Sequence, residues 1–442
     1  MTSFQQKLMN CFTRRPDALF ELTDAILATG PVPSLPHLSL DPLHRRGHGS
    51  VYAALAKGHI NTDALRDLLA TQVGQQPAVF AADVSCWARN DAECSPGRGF
   101  YYHPARHSAG KPIIAGWAFS WLASLKLTTD SWTAPLDVMR LPPGTNINEV
   151  AAVQILRLLP RLPETGDQVP LFVFDGGYDA VRLVLALQCA PAQILVRIRS
   201  DRCFYADPPP ARPDALGRPR RHGTKFVCGD ESTWPTPSTT LSTTDAQYGT
   251  ITVCAWSDLH AKTQQHAGHG SRGPRPIVPG TVIRLTVTAL PGRTRTPTTL
   301  WLWWHSPTGC PPDLDLLWRS YVRRFDLEHT FRFCKQTLNW TVPRPRTPEQ
   351  ADRWTWLILA AYTQLCLARA LVTDLRLPWE KPLPICRLTP GRVRRAFCSV
   401  RAKVGTPASA PQPCGHSPGR PRGSNRGPAP RHPAIKTTNQ TA

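Results

Sequence analysis

Residues 321–340, YVRRFDLEHTFRFCKQTLNW, carry polar side chains whose spacing suits chemistry on one face of a helix. A helix turns by about 100° per residue, which brings four polar residues into a wedge of roughly 60°: Tyr321, Arg324, Glu328 and Lys335. Large apolar residues flank this wedge, so we expect it to point at the protein or at a ligand. The opposite face, which we expect to be solvated, carries Arg319, Arg323, Asp326 and Thr330.

Two aspartates each close an apolar strand pattern, Asp83 in FAADVS and Asp175 in FVFDGGYD. α/β folds bind ligands at the carboxyl ends of their strands, although an aspartate there is often only a turn or a cap. Glu328, the carboxylate of the wedge, supports the interpretation of this pair as part of a site. Three converging carboxylates repel one another unless a cation lies between them. A hard cation with oxygen ligands, Mg²⁺ or Mn²⁺ in its place, suits such a site.

Two such ions about 4 Å apart form the clamp used for in-line attack at a phosphodiester. Arg324 and Lys335 are suited to phosphate oxygens, and the Tyr321 hydroxyl can donate a hydrogen bond to one. Alternatively, the two cations only neutralise Glu328 within the helix. That alternative suits Arg324, one turn before Glu328, better than Lys335, which lies two turns beyond it.

The chain divides into segments of different pattern. Apolar positions at helical spacing predict a helical domain over 1–74. The lengths and spacing of its last two helices are compatible with a DNA-binding helix–turn–helix and equally with an ordinary pair of helices. Strands that alternate with helices predict an α/β domain over 75–403. Thr-, Pro- and Gly-rich strand patterns within it predict a β-rich insertion over 201–298. Residues 404–442, rich in Pro and without Asp or Glu, predict a disordered basic tail.

The formal net charge of +21 predicts an anionic partner. Charge alone does not separate nucleic acid from an acidic membrane, and an Arg- and Pro-rich genome gives the same composition. The 13 cysteines form no C-x2-C pair, so we expect reduced thiols. The longest apolar run, 354–372, is interrupted by polar residues and predicts a buried helix, not a membrane span. The first residues lack the apolar core of a signal peptide, which predicts a cytoplasmic protein.

At this point the motifs resemble a known family. Tyr321, Arg324, Glu328 and Lys335 fit the Y-x2-R-x3-E-x6-K signature of bacterial insertion-sequence transposases of the DDE class. FAADVS and FDGGYD resemble the first and second aspartate motifs of that family, in the same order. A long β-rich insertion before the glutamate is also the arrangement of this branch. The resemblance covers residues 77–375.

The resemblance implies an RNase H-like core in which Asp83, Asp175 and Glu328 hold two Mg²⁺ ions, with Asp83 bridging both. It implies nicking of transposon ends and attack of the freed 3′-hydroxyl on target DNA, by a homodimer in the DNA complex of a nucleoid-associated protein. Tyr178, in the second motif, is implied as a DNA contact. In relatives the insertion can carry a tryptophan that stacks on a flipped base, and Trp301 is the candidate for this role.

The tail sequence PGRPRGSNRG resembles an AT-hook, in which Arg420 and Arg422 would enter the minor groove. Short matches of this kind arise easily by chance in a tail rich in Arg, Gly and Pro.

Two alternatives to an active transposase stay open. One is a DNA-binding remnant that no longer cuts, and the other is a metal-dependent nuclease without strand transfer.

Overall fold

The computed structural model describes most of the chain, namely residues 1–30, 34–74, 78–102, 112–128, 130–163, 168–210, 220–262, 276–291, 298–413, 419, 421, 423 and 427–436. Its class is the predicted α/β, with one large mixed sheet. All the cysteines in the described ranges are free. Among the helices so described, none is long and apolar enough to cross a membrane.

The N-terminal segment is helical, as predicted. Its helices are α1 Thr2–Cys11, α2 Pro16–Ala28, α3 Leu35–Leu38, α4 His48–Lys57 and α5 Thr62–Ala70. A two-stranded antiparallel sheet joins β1 Phe12–Arg14 to β2 His59–Ile60. Helix α2 is buried along nearly its whole length because other helices cover it on several sides.

Five strands form the centre of the main sheet, in the order β6-β5-β3-β7-β8. Their bounds are β3 Val79–Ala88, β5 Ile113–Ser124, β6 Ala134–Leu141, β7 Leu171–Phe174 and β8 Gln193–Ile198; β4 Gly99–Tyr102 pairs with the start of β5. Strands β3, β7 and β8 run parallel, and β5 runs antiparallel to both β3 and β6. The helices α6 Ile147–Leu158 and α7 Ala180–Ala186 follow β6 and β7.

The insertion continues this sheet beyond β8. Its strands are β9 Cys203–Tyr205, β10 Lys225–Val227, β11 Thr239–Asp245, β12 Gly249–Ala261 and β13 Pro279–Val287. Strand β14 Leu300–His305 then returns between β13 and β8 and pairs antiparallel with both. The predicted β-rich insertion is therefore an extension of the central sheet.

The remaining helices are α8 Leu314–Arg323, α9 Phe325–Gln336, α10 Pro348–Ala368, α11 Pro390–Arg395 and α12 Phe397–Val404, with 3₁₀ turns at Leu159–Arg161, Glu231–Thr233, Arg369–Leu371 and Ile385–Arg387. Helices cover both faces of the sheet. On β5, the Ser120 hydroxyl donates to Gln154 of α6, whereas the next side chain, Trp121, packs on Phe331 of α9. Helix α10 is buried, as predicted for the apolar run.

The single helix expected around residues 321–340 is instead two helices, with a break at Arg324. Of the four residues on the face expected to be solvated, two are buried and two are partly exposed. Asp326 and Thr330 are 7% and 1% exposed, and the Thr330 hydroxyl lies 2.8 Å from that of Thr133. The prediction failed because α10 and the segment before β6 cover this side, and helical periodicity does not reveal which neighbours will pack.

The N-terminal helices and the sheet share one continuous hydrophobic core. Helix α2 packs along α10, and α5 lies against β6. Across the second contact, Arg66 Nε donates to Asp137 Oδ1 at 2.7 Å between buried side chains. The sequence pattern therefore changes at residue 74, as expected, but the hydrophobic core continues across this boundary.

Helix α5, the second of the expected helix–turn–helix pair, turns carboxylates to solvent. Asp63 and Asp67 are well exposed, and Arg161 contacts both. DNA affinity comes from cations at phosphates, and the Arg66 cation on this helix is buried. These contacts favour the ordinary helical pair over a DNA-reading helix.

The prediction that residues 404–442 are disordered throughout is wrong for the parts of this tail that the structure describes. Ala408 is buried, and its carbonyl accepts from Arg45 Nη2 at 2.9 Å. The Ser409 carbonyl accepts from Arg46 at 3.0 Å. Farther on, the Ile435 amide donates to a backbone carbonyl at the start of β4. Composition predicts poor core formation but does not exclude docking onto a core built by other segments.

Deleting residues 404–442 should destabilise the protein by about 1–3 kcal/mol, because the deletion exposes the site of Ala408 and removes two arginine acceptors. Deleting only 414–442 keeps these contacts and should cost less. Urea unfolding of the two truncated proteins and the full chain measures the difference. Equal stability of the two truncated proteins would show that residues 404–413 contribute nothing.

Candidate active site

Asp83 and Asp175 lie at the same edge of the sheet because β3 and β7 run parallel. The residues two positions before them are paired in register. Backbone amides hold both side chains: the Val84 N–H donates to Asp83 Oδ1 at 2.7 Å, and the Gly177 N–H donates to Asp175 Oδ1 at 2.9 Å. The two carboxylates are therefore fixed on adjacent strands, as their strand-end positions predicted.

Helices α8 and α9 meet at Arg324, whose guanidinium lies between the sheet and α9. Its Nη1 donates to Asp83 Oδ2 at 2.9 Å, and its Nη2 donates to Glu328 Oε1 at 3.2 Å. Arg324 is 241 residues from Asp83 in sequence. One buried side chain thus connects the first strand of the centre with the helix that follows the insertion.

The charges at this point are strongly coupled. The pKa of Asp83 is raised to about 6, and burial is the largest cause. The positive charge of Arg324 acts to lower this pKa, and the negative charges of Asp175 and Glu328 act to raise it. Burial acts to lower the Arg324 pKa, but the surrounding acids, with Asp83 foremost, keep that pKa above its ordinary value. The arginine is therefore a permanent cation among three carboxyl groups, one of which titrates near neutral pH.

The three carboxylates are a suitable donor set for a hard divalent cation. As they stand, however, no group of three or more His, Cys, Asp or Glu side chains within the described ranges is close enough to hold a metal. Arg324 occupies the place between Asp83 and Glu328. The residues fit a metal by chemistry, on condition that this guanidinium gives up at least one of its two carboxylates.

Three aromatic residues expected to contact DNA are buried. Tyr321 is 7% exposed and its ring centre lies 6.0 Å from Arg324 Cζ, so it supports the arginine. Tyr178 is also 7% exposed and packs on Phe174, with its hydroxyl inside the protein. Trp301 is 4% exposed and packs in an aromatic cluster with Trp256. The structure contradicts direct base stacking by Trp301, because neighbouring aromatic rings enclose it, whereas Tyr178 keeps a small exposed area beside Asp175, and its role as a DNA contact stays a prediction.

Lys335 lies apart from the carboxylates. Its Nζ lies 5.7 Å from the centre of the Trp340 ring, and it forms no salt bridge with any described residue. Burial lowers its pKa, while Cys86 and Cys334 act in the opposite direction. It does not neutralise Glu328, which leaves its charge available for a ligand.

Arg197 is a candidate that the sequence analysis missed. Phe174 is paired with Val196 in the parallel ladder of β7 and β8, so the next residues, Asp175 and Arg197, emerge at the same edge. The Arg197 side chain is exposed, has no salt bridge to the described residues, and is close enough to lower the pKa of Tyr321. Its signal was a basic residue at the end of the strand after Asp175. The tail candidates Arg420 and Arg422 lie outside the described residues.

Comparison with known families gives one match. The family model of the DDE superfamily endonucleases matches residues 7–263, more than half of the 442-residue chain. The match includes Asp83 and Asp175 and ends before Glu328. Among curated proteins, none matches the sequence.

Asp83→Asn should raise stability in EDTA above pH 6. The folded-state pKa of Asp83 is raised from 3.8 to about 6, so wild type loses stability as pH rises from about 4 to about 6 and carries the full penalty above that. A shift of this size corresponds to about 3 kcal/mol. Thermal melts of both proteins between pH 4 and 8 measure it, with exposed Asp258→Asn as the control. A variant that melts below wild type at pH 7 to 8 would show that the Arg324 ion pair outweighs burial.

Proposed function

Because the chain belongs to the DDE superfamily endonuclease family, we propose that it is a transposase that nicks the ends of its own DNA element and transfers the freed 3′-hydroxyl strand to target DNA. The family implies a DNA substrate and divalent metal ions. The observation that carries the proposal is the convergence of Asp83, Asp175 and Glu328 around Arg324.

The fold supports an RNase H-like core, as the resemblance implied. Five central strands with helices on both faces place Asp83 and Asp175 at one edge. Helix α9 brings Glu328 to the same edge from beyond the insertion. We infer that these three carboxylates are the catalytic residues and that they would hold two Mg²⁺ or Mn²⁺ ions.

When bound, the ions would activate the attacking oxygen and stabilise the leaving oxygen at the scissile phosphate. The protein must first free its carboxylates. In the structure the two terminal nitrogens of Arg324, Nη1 and Nη2, contact Asp83 and Glu328. A guanidinium fork also fits phosphate. We infer that incoming DNA offers Arg324 a phosphate, and that the carboxylates of Asp83 and Glu328, once released, would be free to hold the cations.

Two further cations support DNA binding. Arg197 lies at the edge beside Asp175 with no carboxylate partner in the described chain. Lys335 carries a charge that Glu328 does not cancel. We infer that both would bind backbone phosphates of the substrate DNA. Tyr321 acts through Arg324, which its ring supports.

The finer assignments follow from the resemblance. We propose that the substrate is the pair of terminal inverted repeats of a bacterial insertion sequence, bound by a homodimer, with reaction in the cytoplasm at the nucleoid. The experiment is incubation of the purified chain with a fragment that carries its gene and both flanks, with Mg²⁺ or EDTA. Nicks at the repeats followed by joined products support transposition. Cutting without joining indicates a nuclease, and binding without cutting indicates a remnant.

Asp83→Asn, Asp175→Asn and Glu328→Gln should each reduce Mg²⁺-dependent cleavage of that fragment by at least about 1,000-fold, because each removes a metal ligand. DNA binding should stay within a few-fold of wild type, since phosphate contacts supply the affinity. Gel-based cleavage and filter binding measure the two effects. An exposed control, Asp258→Asn, should cut normally, and efficient cutting by any of the three variants would remove that residue from the site.

Arg197→Ala and Lys335→Ala should each weaken DNA binding and lower the slope of log K against log salt by about one, the loss expected for one phosphate contact. The control is Arg319→Ala, whose guanidinium already pairs with Asp315 at 2.8 Å. Fluorescence titrations from 50 to 300 mM salt measure the slopes. An unchanged slope together with a lower melting temperature would assign the residue a structural role only.

A further inference from the structure

Residues 89–98 (the β3–β4 connection) join the strand that carries Asp83 to the wall of a groove beside it. The groove has a volume of about 360 Å³, and its lining includes Asp83 and Asp175 together with Gly99 and Tyr101 of β4. Strand β4 is short and is held to β5 by a ladder of four residue pairs. The position of this wall relative to Asp83 therefore depends on how firmly the connection is held.

Two buried arginines hold the β3–β4 connection through backbone carbonyls. Arg98 is 4% exposed and donates to the Arg89 carbonyl at 2.9 Å and to the Ser95 carbonyl at 3.2 Å. Arg89 donates in turn to the Pro345 carbonyl at 2.6 Å. The remaining terminal nitrogen of Arg98, Nη2, donates to the His432 carbonyl at 2.7 Å. A buried guanidinium needs acceptors for its N–H groups, and the tail supplies one of them.

The tail is attached to the same connection by its own backbone amides. The His432 N–H donates to the Glu93 carbonyl at 2.7 Å. Three residues later, the Ile435 N–H donates to the Arg98 carbonyl at 2.8 Å, and Ile435 forms a parallel β-bridge with Gly99. The tail thus docks along the connection up to the first residue of β4.

The sequence of the docked segment, GPAPRHPAIK at residues 427–436, suits this attachment. Its three prolines favour an extended chain, and the polyproline II conformation has three residues per turn. The contacts have the same spacing, because they come from the Ala429 carbonyl, the His432 amide and carbonyl, and the Ile435 amide. Prolines also restrict the free chain, so less conformational entropy is lost on docking. The segment therefore combines stiffness with donors at the positions that need them.

The charge of the docked segment contributes little to its attachment. Arg431 pairs with Glu93 at 3.5 Å, but both side chains are well exposed. Exposed ion pairs of this kind are typically weak. The attachment depends on backbone groups instead, so docking can be removed without changing the charge, and the charge can be removed without changing the docking.

We propose that residues 427–436 are a positioning element of the active site, which holds the β4 wall of the groove against the strand that carries Asp83. For cleavage, the inference rests on the proposed function, since that function puts the scissile phosphate at Asp83 and Asp175. Release of the segment would leave Arg98 Nη2 and the Glu93 carbonyl without these partners, and the connection would loosen. Because the segment acts through β4, its loss should disturb the alignment of bound DNA, and hence kcat, more than DNA affinity.

Hydrogen exchange tests the docking and does not require cleavage. The double variant His432→Pro/Ile435→Pro removes both amide donors. The matched control His432→Ala/Ile435→Ala loses the same side chains but keeps the donors. In peptides that cover residues 89–102, the proline variant should exchange at least about 10-fold faster than wild type, and the control within about threefold. Equal exchange in the proline variant and wild type overturns the proposal, as does an equal increase in both variants.

Cleavage of the fragment with flanking repeats separates positioning from charge. The proline variant should lower kcat by about 10-fold or more, with the Kd for DNA within about twofold of wild type. Arg431→Ala/Lys436→Ala removes two cations and keeps the backbone donors, so its kcat should stay within about twofold. A proline variant with normal kcat and weaker DNA binding would make the segment a DNA contact only, and this result overturns the positioning role.

A truncated chain ending at residue 426 gives a second route if the proline variant is not folded in thermal melts. Added synthetic peptide 427–442 should restore both the slow exchange of residues 89–102 and kcat, whereas the peptide with both proline substitutions should not. Failure of the native peptide to restore either quantity counts against the proposal. A wild-type protein that cuts no DNA fails the proposed function, while hydrogen exchange still reports docking. A cutting wild type with normal kcat in the proline variant overturns the positioning role alone.

Discussion

The salt bridges from Arg324 to Asp83 and Glu328 join parts of the chain that are far apart in sequence, and the geometry of the site depends on them. Without the guanidinium, enclosed carboxylates would face one another with no compensating charge. Removing the arginine, which would leave a buried charge uncompensated, should cost about 3–5 kcal/mol, whereas replacing Asp83 leaves Arg324 paired with Glu328. The same cation lies between Asp83 and Glu328 and contacts both carboxylates. The structure therefore holds the carboxylates of Asp83 and Glu328 in an internal ion-pair network, and the activation proposed above requires that Arg324 release at least one of them.

The sheet fixes the positions of the site residues that lie outside the helices. Asp83, Asp175 and Arg197 come from three neighbouring parallel strands and emerge at one edge in successive positions of the ladders. Backbone hydrogen bonds set these positions, so they do not change when a side chain moves. Glu328, by contrast, is on a helix that begins at the break and has a more exposed side chain. The arrangement is thus rigid on the sheet side and adjustable on the helix side.

Much of this was predictable from sequence, for identifiable reasons. Asp83 and Asp175 each end an apolar run, and the strand-end rule places such residues at one edge. The wedge of Arg324 and Glu328 followed from helical periodicity. The break at Arg324, the burial of Asp326 and the docking of Ala408 did not follow, because each depends on which distant segment packs there. Arg197 was missed because one arginine among many carries no periodic signal.

The contribution of the insertion also differs from what its tryptophans suggested. Trp301 lies in the extended sheet, where β14 pairs with β8 along the strand that carries Arg197. Its ring is packed with Trp234 and Trp256, and such aromatic clusters rigidify the strands that carry them. With β7 on one side and β14 on the other, β8 has no free edge. The described strands of the insertion therefore brace β8 near Arg197, and the Trp301 ring is part of the packing that does so. Because β8 is paired on both sides whereas α8 and α9 are interrupted at Arg324, the helix side of the site is held by fewer backbone hydrogen bonds than the sheet side.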